Sequence, residues 1–173
     1  PYLNMQFFTI RVIIYFVIWL VFFYLFTRNS QKQDITRDPA LTKQSIKLSA
    51  VFAILFVITI AFTSIDWIMS LEYHWYSTMF GVYYFAGTMV ASFAAATFCS
   101  VMLNENGFLD SKLKDNNYYS FGTLMFGFNI FWAYIGFSQY MLIWYADLPE
   151  ETFWIRMRMK GSWSYFSVVL IFV

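Results

Sequence analysis

Read as a string of hydrophobic and polar positions, the chain alternates four long apolar runs with short polar interruptions; the runs cover about 4–26, 48–70, 76–103 and 119–145. Each is long enough to cross about 30 Å of hydrocarbon as a helix rising about 1.5 Å per residue. The runs lack the alternation of barrel strands, and lipid does not tolerate unpaired backbone, so the predicted elements are transmembrane helices. A fifth run, 162–173, falls short of the roughly 20 residues a span needs. Together with a start at Pro1 rather than methionine, this reads as an internal piece of a longer protein. The expected fold class is all-α: a polytopic transmembrane helical bundle of four complete spans and a truncated fifth, forming a single region over 1–173. All three prolines, Pro1, Pro39 and Pro149, lie outside the predicted spans, which agrees with their cost inside a helix.

The polar interruptions differ in charge. The first connection, Arg28 to Lys47, reads as a linker and holds Arg28, Lys32, Arg37, Lys43 and Lys47; the third adds Lys112 and Lys114; the fourth holds Arg156, Arg158 and Lys160. Seven cations against three place the first and third connections on the cytoplasmic side and the segments 71–75 and 146–161 outside, by the positive-inside rule.

Two charges, Arg11 and Asp66, fall inside predicted spans, and an intramembrane charge costs about 2.5–3.5 kcal/mol at mid-bilayer, so each needs a partner or an escape. Consecutive antiparallel helices bring them to similar depth near the outer end. Either they pair, or Arg11 snorkels to the headgroups and Asp66 hydrogen-bonds at the interface. Thr59, Thr63, Asp66 and Ser70 share one face of the second helix. Ser77, Gly81, Tyr84, Thr88 and Ser92 do so on the third, and Asn129, Trp132, Gly136 and Gln139 on the fourth. These three stripes are expected to face one another. Helix packing through small residues, as in the Gly87, Ala91, Ala95 ladder, explains them as readily as chemistry does. The short outer segment around Glu72, Tyr73, His74, Trp75 and Tyr76 could move protons through its histidine and carboxylate, or could simply place aromatic rings at the membrane interface.

Composition narrows the field. At 60% hydrophobic and 12% charged residues, the chain has about half the usual charged fraction, which argues against a soluble domain. Eleven basic and ten acidic residues leave no field for nucleic acid. One cysteine and one histidine cannot by themselves supply an iron–sulfur cluster, a four-ligand zinc site or a bis-histidine haem, so no haem or iron–sulfur ligand set is expected in this stretch.

The segments YLNMQFFTIRVIIYF, SIDWIMSLEYHWYSTMFGVYYFAG and FGFNIFWAYIGFSQYMLIWYADLPEETFW resemble the two paralogous polytopic membrane subunits, C-type and F-type, of bacterial alternative complex III. These belong to the polysulfide-reductase (NrfD-like) membrane-subunit superfamily. LPEETFW and the opening segment lean toward the F-type paralogue. The resemblance implies about ten helices in the whole polypeptide and a place in the bacterial cytoplasmic membrane. It further implies quinol oxidation (quinone or menaquinone) coupled to a cytochrome c or equivalent acceptor. The implied partners are the C-type paralogue, haem c and iron–sulfur subunits, and a terminal oxygen reductase.

It also implies an acidic residue, often with a histidine, at an outer-facing quinol site, and Asp66 and His74 are where that role would fall. Quinol oxidation releases two protons and needs a base, an apolar pocket and hydrogen-bond donors. Asp66 or His74 would take the proton and Arg11 would hold Asp66 ionised. Glu72, Tyr83, Tyr84, Asn129, Gln139 and Tyr140 are the further quinone-binding or proton-transfer candidates. The competing expectation is an anchor bundle for redox subunits with no quinol site of its own; a proton path is the third, weakened by the almost wholly apolar stretch from Ser49 to Ile58.

Overall fold

The computed structural model describes residues 4–72, 74–108 and 115–172. Tyr73 of the outer segment, Lys112 and Lys114 of the third connection, and the extreme ends Pro1 and Val173 lie outside the described residues. Among the described residues the chain is helical with no strand: α1 Met5–Thr36, α2 Pro39–Trp67, α3 Phe80–Glu105, α4 Asp115–Ala146, α5 Pro149–Arg158 and α6 Trp163–Phe172. The first four are each long and apolar enough to span a membrane, so the chain is a multi-pass membrane protein. The helices divide into two compact units, Pro1–Leu71 and Glu72–Val173.

The first unit is the α1–α2 hairpin, with a 3-10 turn, Met69–Leu71, after α2. Asn4 starts α1 by accepting from the Gln6 N–H, which satisfies one of the donors a helix start leaves open. Asp38 caps α2 in the same way toward Ala40, with Pro39 in the first position, where its missing N–H costs nothing. The two helices turn over through Arg37, left-handed at φ 52°, and Asp38.

The linker expected from Arg28 to Lys47 is therefore corrected: α1 runs on to Thr36 and α2 begins at Pro39. With 32 residues, α1 is about 48 Å long, so the hairpin continues past a hydrocarbon layer of about 30 Å as a polar stalk. Two side-chain hydrogen bonds join the helices there, Gln33 to Thr42 at 2.6 Å and Asn29 to Ser45 at 3.4 Å. A helix leaving lipid keeps its backbone bonds, and these polar pairs give the emergent turns a reason to stay together.

The second unit packs α3 against α4, followed by α5 and α6. Its third span starts later than the apolar run implies, at Phe80 rather than 76, because 75–79 is not helical. The connection expected at 146–161 contains α5, which opens on Pro149. The packing face of this hairpin is aromatic against small. Tyr83 stacks on Trp132 with centroids 5.3 Å apart, and Phe93 stacks on Phe128 at 5.8 Å. A Cβ at Gly136 would stand 3.2 Å from Tyr83 Cε2, and one at Gly87 would stand 3.3 Å from Trp132 Nε1. Each ring therefore occupies the space that glycine leaves on the opposite helix.

Candidate functional site

The polar centre of the first unit is built by α1 and the last turn of α2. Arg11 Nε donates to Asp66 Oδ2 at 2.8 Å and Arg11 Nη2 donates to Asp66 Oδ1 at 2.9 Å, a two-pronged ion pair. Tyr15 donates its hydroxyl to Asp66 Oδ2 at 2.9 Å. Asp66 is 1% exposed and Arg11 8%, so the pairing reading of the two intramembrane charges holds and the snorkelling reading is overturned. The physical reason is geometric: a guanidinium can present two N–H groups to one carboxylate, and charge-assisted bonds strengthen away from water.

Asp66 sits one residue before the end of α2, closer to the helix terminus than a span ending at Ser70 implies. A carboxylate at that end meets the negative pole of the helix dipole, an unfavourable position that the Arg11 charge offsets. The neighbouring carbonyl of Asp66 accepts from Ser70 Oγ at 2.5 Å, satisfying one of the groups a helix end leaves open. Phe7 lies under the guanidinium, with Arg11 Cζ 4.4 Å from its ring centroid. Phe16 stacks on Trp67 at 5.9 Å and Trp19 meets Trp67 edge-on at 6.3 Å.

Two further members of the α2 stripe are buried. Thr59 accepts from Trp19 Nε1 at 3.0 Å and donates back to the Leu55 carbonyl. Thr63 is buried, and its hydroxyl has no hydrogen-bond partner among the described residues. Sequence reasoning missed Tyr15. The signal was available in spacing, since Arg11, Tyr15 and Trp19 recur every four residues and so share the face that meets Asp66 and Thr59.

Of the three polar stripes, that of α2 is engaged by α1 through Asp66 and Thr59. In the second unit the α4 stripe is engaged by α3 and the segment before it. Gln139 donates to Ser77 Oγ at 2.9 Å, Trp132 covers Tyr83, and Gly136 admits the Tyr83 ring. Thr88 and Ser92 turn their hydroxyls back to carbonyls of their own helix, a local bond that satisfies them in an apolar setting. Tyr84 is half-buried. Asn129, Tyr140 and His74 are exposed within this unit, so Asn129 does not share the buried part of its stripe.

Glu72 and His74 also belong to the second unit. There Trp75 is buried and stacks face to face on Trp154, with centroids 4.2 Å and planes 6° apart. Arg158 Cζ lies 3.5 Å from the Trp154 ring centroid. Burial pushes the Arg158 guanidinium below its usual range, partly offset by the Glu72 carboxylate. The order of the described residues 74–79 is thus held from α5, a helix the sequence pattern did not announce.

Among the described residues no group of three or more histidine, cysteine or carboxylate side chains is gathered as for a metal ion. Comparison of the chain with known protein families and with curated proteins gives no match.

Proposed function

We propose that this chain is part of an integral membrane subunit of a quinol-oxidising respiratory complex, and that the Arg11–Asp66–Tyr15 cluster handles the protons of that reaction. The observation that carries the reading is a fully buried carboxylate held by a guanidinium and a phenol inside a transmembrane hairpin. Ionisable groups in such positions are costly and usually serve transport, proton relay or ligand binding. The resemblance of three segments of the sequence to the paired membrane subunits of alternative complex III supplies the reaction class.

In this reading Asp66 is the proton acceptor of the pair, because a guanidinium has donors and no acceptor to offer. A quinol hydroxyl gives its proton to Asp66, while the Tyr15 hydroxyl, already donating to that carboxylate, orients the acceptor oxygen. The aromatic surround of Phe7, Phe16 and Trp67 provides the apolar faces that a quinol ring needs. His74 and Glu72 remain the other proton-transfer candidates of this reading, and the connection carrying them faces the outside of a bacterial cytoplasmic membrane. Haem c, iron–sulfur and paralogous membrane subunits are the partners, with a terminal oxygen reductase downstream.

The test is Asp66→Asn and His74→Ala in the intact complex, with assembly followed by native gel and haem content. The reading predicts that assembled Asp66→Asn complex loses quinol turnover by at least about tenfold, within the usual contribution of one positioned acid or base. Unchanged turnover and proton release in an assembled complex would overturn it.

A second reading has its own observation. Both oxygens of Asp66 are already engaged, by three donors, as expected of a structural clasp. In that case the chain belongs to an anchor bundle for redox partners, and Asp66→Asn would reduce assembly while leaving the turnover of the assembled fraction intact.

A further inference from the structure

The angle between the end of α4 and α5 encloses a cleft of about 450 Å³, within the range of about 300–1,000 Å³ usual for small-ligand sites. Its walls are Tyr140, Ile143 and Trp144 of α4 and Thr152, Ile155 and Met159 of α5. Both sets follow helical one-face spacing, so each helix presents a single stripe to the cleft. Most of this lining is apolar or aromatic, and the α4 stripe is a continuation of a membrane-spanning surface. The cleft therefore adjoins the end of a membrane-spanning helix.

The cleft also carries two opposite charges, Asp147 and Arg156. Asp147 stands in the turn between the helices with left-handed backbone, φ 44°, a conformation that the short acidic side chain tolerates better than most. Arg156 Nη2 lies 3.6 Å from Asp147 Oδ1, and the two side chains are 70% and 73% exposed. At that distance and exposure the pair contributes little on its own and is open to exchange with ions of a ligand. Arg158, the next cation along α5, lies over Trp154. The stretch Asp147 to Lys160 contains three acidic and three basic residues, so it has no net charge with which to favour an anionic surface.

We propose that this cleft binds a zwitterionic phospholipid with an ammonium-bearing headgroup, that is, a phosphatidylethanolamine. The phosphate takes the place of Asp147 as the partner of Arg156, the ammonium takes the place of Arg156 as the partner of Asp147, and an acyl chain lies along Ile143, Trp144, Ile155 and Met159. An ion pair exchanges for two ion pairs, and apolar wall that would otherwise meet water or disordered lipid is covered. The bound lipid acts as a brace that holds α5 at the end of α4. A quaternary choline headgroup lacks the N–H donors that Asp147 would use, and a glycerol headgroup offers it no cation.

The experiment is native mass spectrometry of the purified full-length protein or its complex. The protein is exchanged into detergent and titrated with phosphatidylethanolamine, phosphatidylglycerol or phosphatidylcholine of the same acyl chains. One retained phosphatidylethanolamine is expected in preference to the other two. Asp147→Asn or Arg156→Gln should each weaken its retention by about fivefold, the effect of one partly exposed charged contact. The double exchange Asp147→Arg with Arg156→Asp should recover part of it, because both charges are again present. Equal or stronger retention of phosphatidylglycerol, displacement of the lipid by a short-chain quinone, or unchanged retention in both single variants would overturn the proposal.

Discussion

The two long hairpins solve the same problem, holding antiparallel helices together where lipid is as apolar as the side chains, by different means. Along α1–α2 the contacts are polar and spaced: Arg11 and Tyr15 on Asp66, Trp19 on Thr59, Asn29 on Ser45, Gln33 on Thr42, with Phe22, Phe26 and Phe52 clustered between. Along α3–α4 the contacts rest mainly on shape, with Tyr83 over Gly136 and Trp132 over Gly87, and side-chain bonds stand toward the two ends, Gln139 to Ser77 and Tyr118 to the Ser100 carbonyl. Hydrogen bonding and close approach through small residues are the two sources of helix association available in a membrane. Each hairpin relies chiefly on one of them. The difference teaches where chemistry can reside, because the α1–α2 clasp buries an ion pair with a carboxylate, whereas the α3–α4 fit sets aromatic rings against glycines.

The contrast can be broken most forcefully at Asp66. Asp66→Leu leaves Arg11 buried without its carboxylate, and the expected loss is about 3–5 kcal/mol, the usual result of stripping one partner from a buried ion pair. Thermal unfolding of the full-length protein in detergent reads it. Adding Arg11→Leu should return most of the loss, since an apolar pair of similar volume is often no worse than the ion pair. A single variant as stable as the parent would show that the clasp does not hold the hairpin.

A smaller effect is expected in the other hairpin, and from the opposite kind of change. Gly136→Leu drives a side chain into the Tyr83 ring at a site where even a Cβ has 3.2 Å, and overpacking of this kind costs about 1–3 kcal/mol. Tyr83→Ala introduced beside it should relieve the clash. If the double variant is no more stable than Gly136→Leu alone, shape is not what joins α3 to α4.

The smallest predicted effect sharpens the comparison. Trp19→Phe removes the donor to Thr59 and Gln139→Leu removes the donor to Ser77, and membrane hydrogen bonds of this type average about 0.6 kcal/mol. Both should shift the unfolding midpoint slightly, by similar amounts. A much larger shift for Gln139→Leu would mean that the second hairpin relies on its polar bond after all.

Much of this was legible in the residue order. Four apolar runs of spanning length allow only helices in lipid, and two isolated charges of opposite sign near matching helix ends invited a pair. Tyr15 was legible too, one helical turn beyond Arg11, but a tyrosine among many aromatic residues carries no mark until its partner is known. The reach of α1 to Thr36 was hidden because polar helices outside lipid have no hydropathy signature. Likewise α5, with charged and apolar residues mixed over ten positions, looked like connection.

Hydropathy alone determined that this protein crosses a membrane as helices, since the bilayer core leaves the backbone no alternative over about 20 apolar residues. It also determined that Arg11 and Asp66 would be expensive. Only the tertiary structure decided how that expense is met, with both prongs of the guanidinium and a phenol on one carboxylate, and it decided that the α2 stripe turns to α1. Periodicity places residues on a face of their own helix. Which neighbour that face meets depends on packing across the hairpin, where two rings, two glycines and one ion pair select the fit.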